Sequence, residues 1–338
     1  MAEGMPGADG RDVVIDADPG TDDAVGILIA LGAPGLRLRA VTTVGGNAAL
    51  DVVTDNALRL VDAAGCAVPV YRGAASPLDS AELFGHGALA REPRPGRDGD
   101  GLGLAPAVSR AAPGEAARVL CDVFSGPRGA GAVLVATGPL TNVAQALRYR
   151  PQLAREVRTL VVMGGSRAGG NATGSADFNF WADPVAAHAV LTAGFPDVVL
   201  FPLDTTRAAP VTESQCAAVA SAGPGGRLAA GIIRSRMRTG PQGRVATVHD
   251  ALCTAHLLAP VMTSSARCTV RVETGRGPER GTSYFGPAAP GGPGVQVATG
   301  ADPAALVRVV TEAAASLSER FGHRLTPRRA DPPRGPVN

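Results

Sequence analysis

Four carboxylates, Asp16, Asp18, Asp22 and Asp23, fall within eight positions of the segment Val13-Val-Ile-Asp-Ala-Asp-Pro-Gly-Thr-Asp-Asp23. Alternation along a strand puts Asp16 and Asp18 on one face as an apolar run ends. Pro19-Gly20 then turns the chain and Thr21 can cap the helix that follows. Asp22 and Asp23 sit in its first turn, where the helix dipole favours each charge modestly. That gain does not cancel their mutual repulsion. Carboxylates converging on one loop raise one another's pKa unless protons or a cation neutralise them, and a hard divalent ion is the simplest remedy. An acid-rich helix start facing water is the plain alternative; it accounts for Asp22 and Asp23 but not for Asp16 and Asp18 on an apolar strand.

The elements that must position these groups follow from periodicity. Short Val-rich runs alternate with Ala- and Leu-rich segments of helical period, the pattern of βα units building a parallel sheet. Strands are expected at Val13–Asp16, Leu38–Val44, Val68–Tyr71, Ala132–Ala136, Thr159–Met163 and Val198–Pro202, with helices at Asp22–Leu31, Asp51–Ala64, Gly114–Phe124, Leu140–Arg148 and Pro184–Ala193. Residues 268–298 read as a small antiparallel extension and Pro303–Phe321 as a terminal helix. The fold class is therefore α/β: an open, mostly parallel, Rossmann-like sheet flanked by helices. Such sheets bind ligands beyond the carboxyl ends of their strands. Asp18, Asn47, Thr137 and Asn171 to Asn179 all fall there, so one crevice could gather them. Two stretches interrupt the alternation. Ala74–Pro113, with His86-Gly87, and Gly223–Val248, with Arg234, Arg236, Arg238 and Arg244, read as irregular, either closing over a substrate or forming solvated insertions.

Composition narrows the classes. The 338 residues are 45% apolar, enough for a large core. A net charge of +2, from 32 basic and 30 acidic side chains without a basic stripe, disfavours nucleic acid. Every one of those basic residues is Arg. The absence of lysine removes Schiff-base chemistry and the lysine of a P-loop. Five scattered cysteines, Cys66, Cys121, Cys216, Cys253 and Cys268, read as reduced thiols. No charged-then-apolar leader opens the sequence and no apolar run reaches about 18 residues, so a cytoplasmic protein without membrane spans is expected.

Five motifs in order carry a resemblance. They are Asp18-Pro-Gly-Thr-Asp-Asp23, Thr42-Thr-Val-Gly-Gly-Asn47, Ala136-Thr-Gly-Pro-Leu-Thr-Asn142, Val162-Met-Gly-Gly165 and Val248-His-Asp250. With them the chain resembles the inosine-uridine preferring nucleoside hydrolases over residues 12–322, as one domain, with residues 1–11 and 326–338 as disordered tails. The resemblance implies Ca2+ held by Asp18, Asp23, Asp250 and the backbone carbonyl of Thr137, and a small ribonucleoside as substrate. It also implies that Asp18 accepts a proton from water, that Asn47 helps place that water, and that His249 lies near the leaving base. Asp22, Asn179 and Asp250 would grip the ribose 2′ and 3′ hydroxyls, and Asn171 its 5′ end. Met163, Phe178 and His86 complete the substrate side. A homo-oligomer, dimer or tetramer, is implied as well. Two features depart from the family: Asp177 stands where a glutamate usually meets the 5′ hydroxyl, and the His86 loop is longer, which leaves base selectivity open.

These residues suit cleavage of an N-glycosidic bond. Carboxylates below a ribosyl ring stabilise oxocarbenium-like charge in the transition state, a metal lowers the pKa of a water, and a neighbouring carboxylate can take its proton. Plain readings stand beside each assignment. His249 could cap a helix, Met163-Gly164-Gly165 could be a strand end needing close approach, and Asn171, Asp177 and Asn179 could form an Asx-rich turn. Phe178 suits packing as well as base stacking, and His86 a surface loop. Two further functions compete: a magnesium-dependent phosphohydrolase of the haloacid dehalogenase type, built on Asp16-Ala17-Asp18, and a calcium-dependent ribose or nucleoside binder without turnover.

Overall fold

The computed structural model describes residues 10–78, 102–126, 129, 131–240, 243–289, 292 and 294–325. Its strands are β1 (Arg11–Ala17), β2 (Leu36–Thr43), β3 (Val70–Arg72), β4 (Val133–Ala136), β5 (Thr159–Met163), β6 (Asp197–Phe201), β7 (Pro210–Thr212), β8 (Val245–Thr247), β9 (Thr263–Val272), β10 (Ser283–Pro287) and β11 (Val295–Ala301). Nine of these form one sheet in the order β10-β9-β11-β6-β5-β4-β1-β2-β3. Neighbours from β11 to β3 run parallel, while β9 is antiparallel to both β10 and β11. The expected parallel sheet and its antiparallel extension are both present. β7 and β8 pair separately as a short antiparallel ribbon.

The winding explains where a site can form. From β1 the chain steps outward to β2 and β3, then returns to β4 on the other side of β1, so the strand order reverses between β1 and β4. Loops leaving those two strands diverge to opposite faces and open a crevice at their carboxyl ends. Asp16 is in register with both Thr42 and Ala136, which places Asp18 and Thr137 side by side at the mouth of that crevice.

Both faces of the sheet are covered, which is why the strands read as unbroken apolar runs. Val13, Ile15 and Ala17 point into one core with α1 (Thr21–Gly32) and the helices Pro224–Thr239, His249–His256 and Pro303–Leu325. Val14 points into the other, with the helices Ala116–Ser125, Thr141–Tyr149 and Pro184–Leu191. Each fully buried aliphatic side chain contributes about 1.5–3 kcal/mol. All of α1 is buried, because helices pack on the sides that the sheet leaves open.

Several expectations are corrected. Gly223–Val248, read as irregular, contains the 16-residue helix Pro224–Thr239 and β8. Its glycines lower helix propensity, but Ala229, Ile232, Ile233 and Met237 share a face whose burial outweighs that cost. Thr21 does not cap α1; Gly20 occupies that position, and Asp23 Oδ2 accepts the Gly20 N–H at 3.0 Å. β1 begins at Arg11, paired with Leu36, one residue inside the segment read as the N-terminal tail. Residues 1–9 and 326–338, and the His86-Gly87 segment, lie outside the described residues.

Candidate active site

The cleft lies on the crevice beyond β1 and β4 and is lined by Asp22, Asn47, Thr137, Met163, Asn171, Asp177, Phe178, Asn179, Arg236, His249 and Asp250. Its floor is built by the turn after β1. Asp18 is 1% exposed, and Oδ2 accepts the Asn47 backbone N–H at 2.6 Å. The Asn47 side chain donates in turn to the Asp18 carbonyl at 3.2 Å. Backbone must come very close for this: a Cβ on Gly46 would collide with Asp18 Oδ2, and one on Gly138 would stand 3.0 Å from Oδ1. Glycine at both positions is therefore a steric requirement.

The two strand-end aspartates part company. Asp16 Oδ1 accepts from Thr42 Oγ1 at 2.5 Å and from Asn142 Nδ2 at 2.8 Å, tying β1 to β2 and to the helix after β4. It therefore braces the loops below the cleft. Asp18 Oδ1, like Asp16 Oδ2, is buried with no hydrogen-bond partner, but it sits among the other carboxylates of the cluster, so an acceptor oxygen is left there for a ligand.

Asp22, Asp23 and Asp250 each bring a carboxylate oxygen within 4.8 Å of the others, and all three are buried. Gly26 makes this possible. It lets α1 approach the helix His249–His256 so closely that a Cβ there would lie 3.3 Å from the Asp250 carbonyl. Asp23 also accepts from Thr137 Oγ1 at 2.8 Å. Burial, then repulsion from Asp22, pushes the Asp23 carboxyl up to about 6. Burial and Asp23 push Asp18 well above the carboxylate range, and burial with Asp23, Asp22 and Asp18 does the same to Asp250. A hard divalent cation matches these observations: an all-oxygen donor set, an orphaned buried oxygen and mutually repelling carboxylates. Asp22, which the resemblance places on the ribose, belongs to this tight trio; Asp18 stands beside it and interacts with its charges.

On one side of the cleft, Asn179 Nδ2 donates to the Thr137 carbonyl at 2.7 Å and to the Met163 carbonyl at 3.1 Å, joining the ends of β4 and β5. Asp177 is the N-cap of the short helix Phe178–Ala182. It accepts N–H groups from Gly165 at 2.8 Å, Phe180 at 3.0 Å and Asn179 at 3.1 Å. Burial outweighs these three bonds and raises its pKa. Phe178 is buried in the lining and packs against Trp181, and Asn171 lines the same side. On the other side stand His249 and Arg236. His249 Nδ1 lies 2.6 Å from Thr206 Oγ1, so the helix Leu203–Arg207 orients the ring. Arg236 Nη2 lies 3.6 Å from Asp22 Oδ2, and its Nε donates to the Thr247 carbonyl at 3.3 Å.

The structure thus brings together Asp22, Asn47, Thr137, Met163, Asn171, Asp177, Phe178, Asn179, His249 and Asp250 around one cleft, with Asp18 beneath it. The expectation for His86 lies outside the described residues. Sequence reasoning overlooked Asn142, Thr206 and the placement of Arg236. Asn142 ends a recognised motif, and Arg236 occupies the cleft-facing end of a helix with a Pro224 start and a Gly240 stop, so both left a signal. Thr206 left none, since its partner is 43 residues away.

Comparison with known proteins agrees with this geometry. The family described as inosine-uridine preferring nucleoside hydrolase matches residues 13–308. A curated relative, the pyrimidine-specific ribonucleoside hydrolase RihB of Escherichia coli K12, is 34% identical over 277 residues, covering 79% of this chain and 85% of that protein. Among solved structures, a plant nucleoside hydrolase superposes with a TM-score of 0.77 at 25% identity, covering 90% of this chain and 99% of its own. The fold is also that of a purine-preferring ribonucleoside hydrolase from Gardnerella vaginalis, with a TM-score of 0.80 at 24% identity over 92% of this chain and all of that one. A family match across most of the length, laid over a cleft of converging carboxylates, places this chain among the inosine-uridine preferring nucleoside hydrolases, enzymes that cleave the N-glycosidic bond of ribonucleosides.

Proposed function

We propose that the chain is a calcium-dependent ribonucleoside hydrolase, acting as one unit over residues 12–322, that releases free base and ribose. The observation that carries the metal dependence is the unbonded, buried Asp18 Oδ1 next to the Asp22, Asp23 and Asp250 carboxylates. Asp18, Asp23, Asp250 and the Thr137 carbonyl would hold the ion. When bound, Ca2+ supplies a positive charge that makes a water more acidic and offsets carboxylate repulsion.

The chain's own residues account for the rest. Asp18 takes the proton of the water that adds to C1′, and Asn47 holds Asp18 in place through two hydrogen bonds. Asp22, Asn179 and Asp250 bind the 2′ and 3′ hydroxyls, which brings negative charge beneath the ring as oxocarbenium character develops. Asn171 and Asp177 meet the 5′ end; Asp177, already bonded to three backbone N–H groups, offers its remaining acceptor capacity. Met163 and Phe178 pack against the sugar and base; His86, outside the described residues, is assigned to base recognition in the same reading. His249, oriented by Thr206, gives a proton to the departing base. Kinship with a pyrimidine-specific relative supports pyrimidine ribonucleosides as the first substrates to try. A dimer or tetramer in the cytoplasm belongs to the same reading. Among the described residues no helix is long and apolar enough to cross a membrane.

Release of reducing sugar from purine and pyrimidine ribonucleosides, with chelator and after calcium is restored, tests the reading. Expected is sugar release that chelator abolishes and calcium recovers. Phosphate release from nucleotides without sugar release would instead favour the phosphohydrolase, and ribose binding without base release the non-catalytic binder.

A further inference from the structure

We propose that Arg236 is a leaving-group residue: its guanidinium binds the acceptor edge of the departing base and stabilises the negative charge that builds there. The proposal rests on the hydrolase reading above. Arg236 stands near the end of the helix Pro224–Thr239, 15% exposed, and is the sole Arg or Lys among the described residues lining the cleft. Its two contacts fix where the charge sits. Nη2 is 3.6 Å from Asp22, and Nε donates to Thr247, two residues before His249. The guanidinium is therefore held beside the carboxylate assigned to the sugar hydroxyls, in a lining that it shares with the imidazole assigned to the base. Neither contact uses Nη1, which carries two further N–H groups on the same planar fork.

In the reaction, the C1′–N bond breaks and its electron pair passes to the base nitrogen. The water oxygen bonds to C1′, one water proton goes to Asp18, and the base takes up the proton that His249 gives. Charge that reaches the base before that proton does is shared with the acceptor next to the glycosidic nitrogen, O2 of a pyrimidine or N3 of a purine. Arginine only donates and stays protonated, so it matches such an acceptor without exchanging a proton. A donor aimed at charge that develops in the transition state typically contributes about 10²–10³ in rate. A guanidinium that merely neutralised Asp22 would act on the sugar alone.

Leaving-group dependence separates these roles. Arg236→Met and Arg236→Lys are compared with the wild type on uridine, inosine and p-nitrophenyl β-D-ribofuranoside, whose p-nitrophenolate departs as a stable anion. Because each ratio is taken on one preparation, a change in folded fraction cancels. In Arg236→Met the kcat/KM of the nucleosides relative to the p-nitrophenyl riboside is expected to fall about 100-fold, with partial recovery in Arg236→Lys. An equal loss on all three substrates, or an unchanged ratio, overturns the proposal while leaving the hydrolase reading intact. A wild type inactive on all three overturns both.

Discussion

The carboxylate cluster makes stability depend on pH and calcium together. Asp23 rises from an ordinary value of 3.8 to about 6 in the folded chain, because it is buried and faces Asp22. A group whose pKa is higher folded than unfolded binds its proton more tightly when folded. Its stabilisation is fully present below the unfolded value and is lost as pH climbs through about 6. Because Asp23 titrates together with its carboxylate neighbours, the loss across that window belongs to the cluster and is on the order of a few kcal/mol. Asp16, raised to about 6 by burial, and the raised Asp18 and Asp250 act in the same direction. Calcium at about 100 times its Kd restores about 2.7 kcal/mol, about 4 °C in Tm for a chain of this size.

Scanning calorimetry from about pH 4.5 to pH 7.5, in chelator and in calcium, reads this directly. The calcium-induced rise in Tm should be small at the acid end, where protons neutralise the cluster, and grow to several degrees near neutrality. Using the difference between the two conditions removes the titration of surface groups common to both. Asp250→Asn takes one charge out of the trio, so it should flatten the fall in chelator and remove most of the calcium increment. A calcium increment independent of pH, or one that Asp250→Asn retains in full, refutes this account of the cluster.

Three substitutions probe the cleft itself. Asp18→Asn should lower kcat by about 10²–10⁴ with an unchanged circular dichroism spectrum; turnover near wild type would remove Asp18 as the base. Gly46→Ala puts a methyl group onto Asp18 Oδ2, so turnover should fall at least about 10-fold and unfolding free energy by about 1–3 kcal/mol, measured by assay and urea titration. Full activity there would show that the Asp18 loop yields easily. Thr206→Val keeps the shape but deletes the hydroxyl 2.6 Å from His249 Nδ1, which should cost about 10-fold in kcat on nucleosides, and no change would mean that the ring is oriented by other contacts.

The parallel sheet was legible because strands buried on both faces must be apolar throughout, as Val13-Val14-Ile15 and Leu160-Val161-Val162 are. Less legible was the helix Pro224–Thr239. Its Gly225, Gly226 and Gly231 and its arginines obscure the period, and packing against α1 and the helices Glu213–Ala220 and Pro303–Leu325 makes its apolar face worth forming. Alternation put Asp16 and Asp18 on one strand face, but their roles separate for a spatial reason. Asp16 is still inside the sheet, within reach of Thr42 and Asn142, whereas Asp18 has passed the strand end.

By itself, the amino-acid sequence determined what is local: an apolar strand ending in Asp18, a turn at Pro19-Gly20, a helix opening with two acids, and the motifs that mark the family. These depend on neighbours a few residues apart, where side-chain alternation and turn chemistry operate. The tertiary structure alone decided which distant groups meet. Asp250 joins Asp22 and Asp23 because Gly26 lets two helices touch, Thr206 reaches His249 across 43 residues, and Arg236 enters the cleft on a helix held by α1. Such contacts leave no periodic trace in the chain, since they arise from packing between elements rather than from spacing within one.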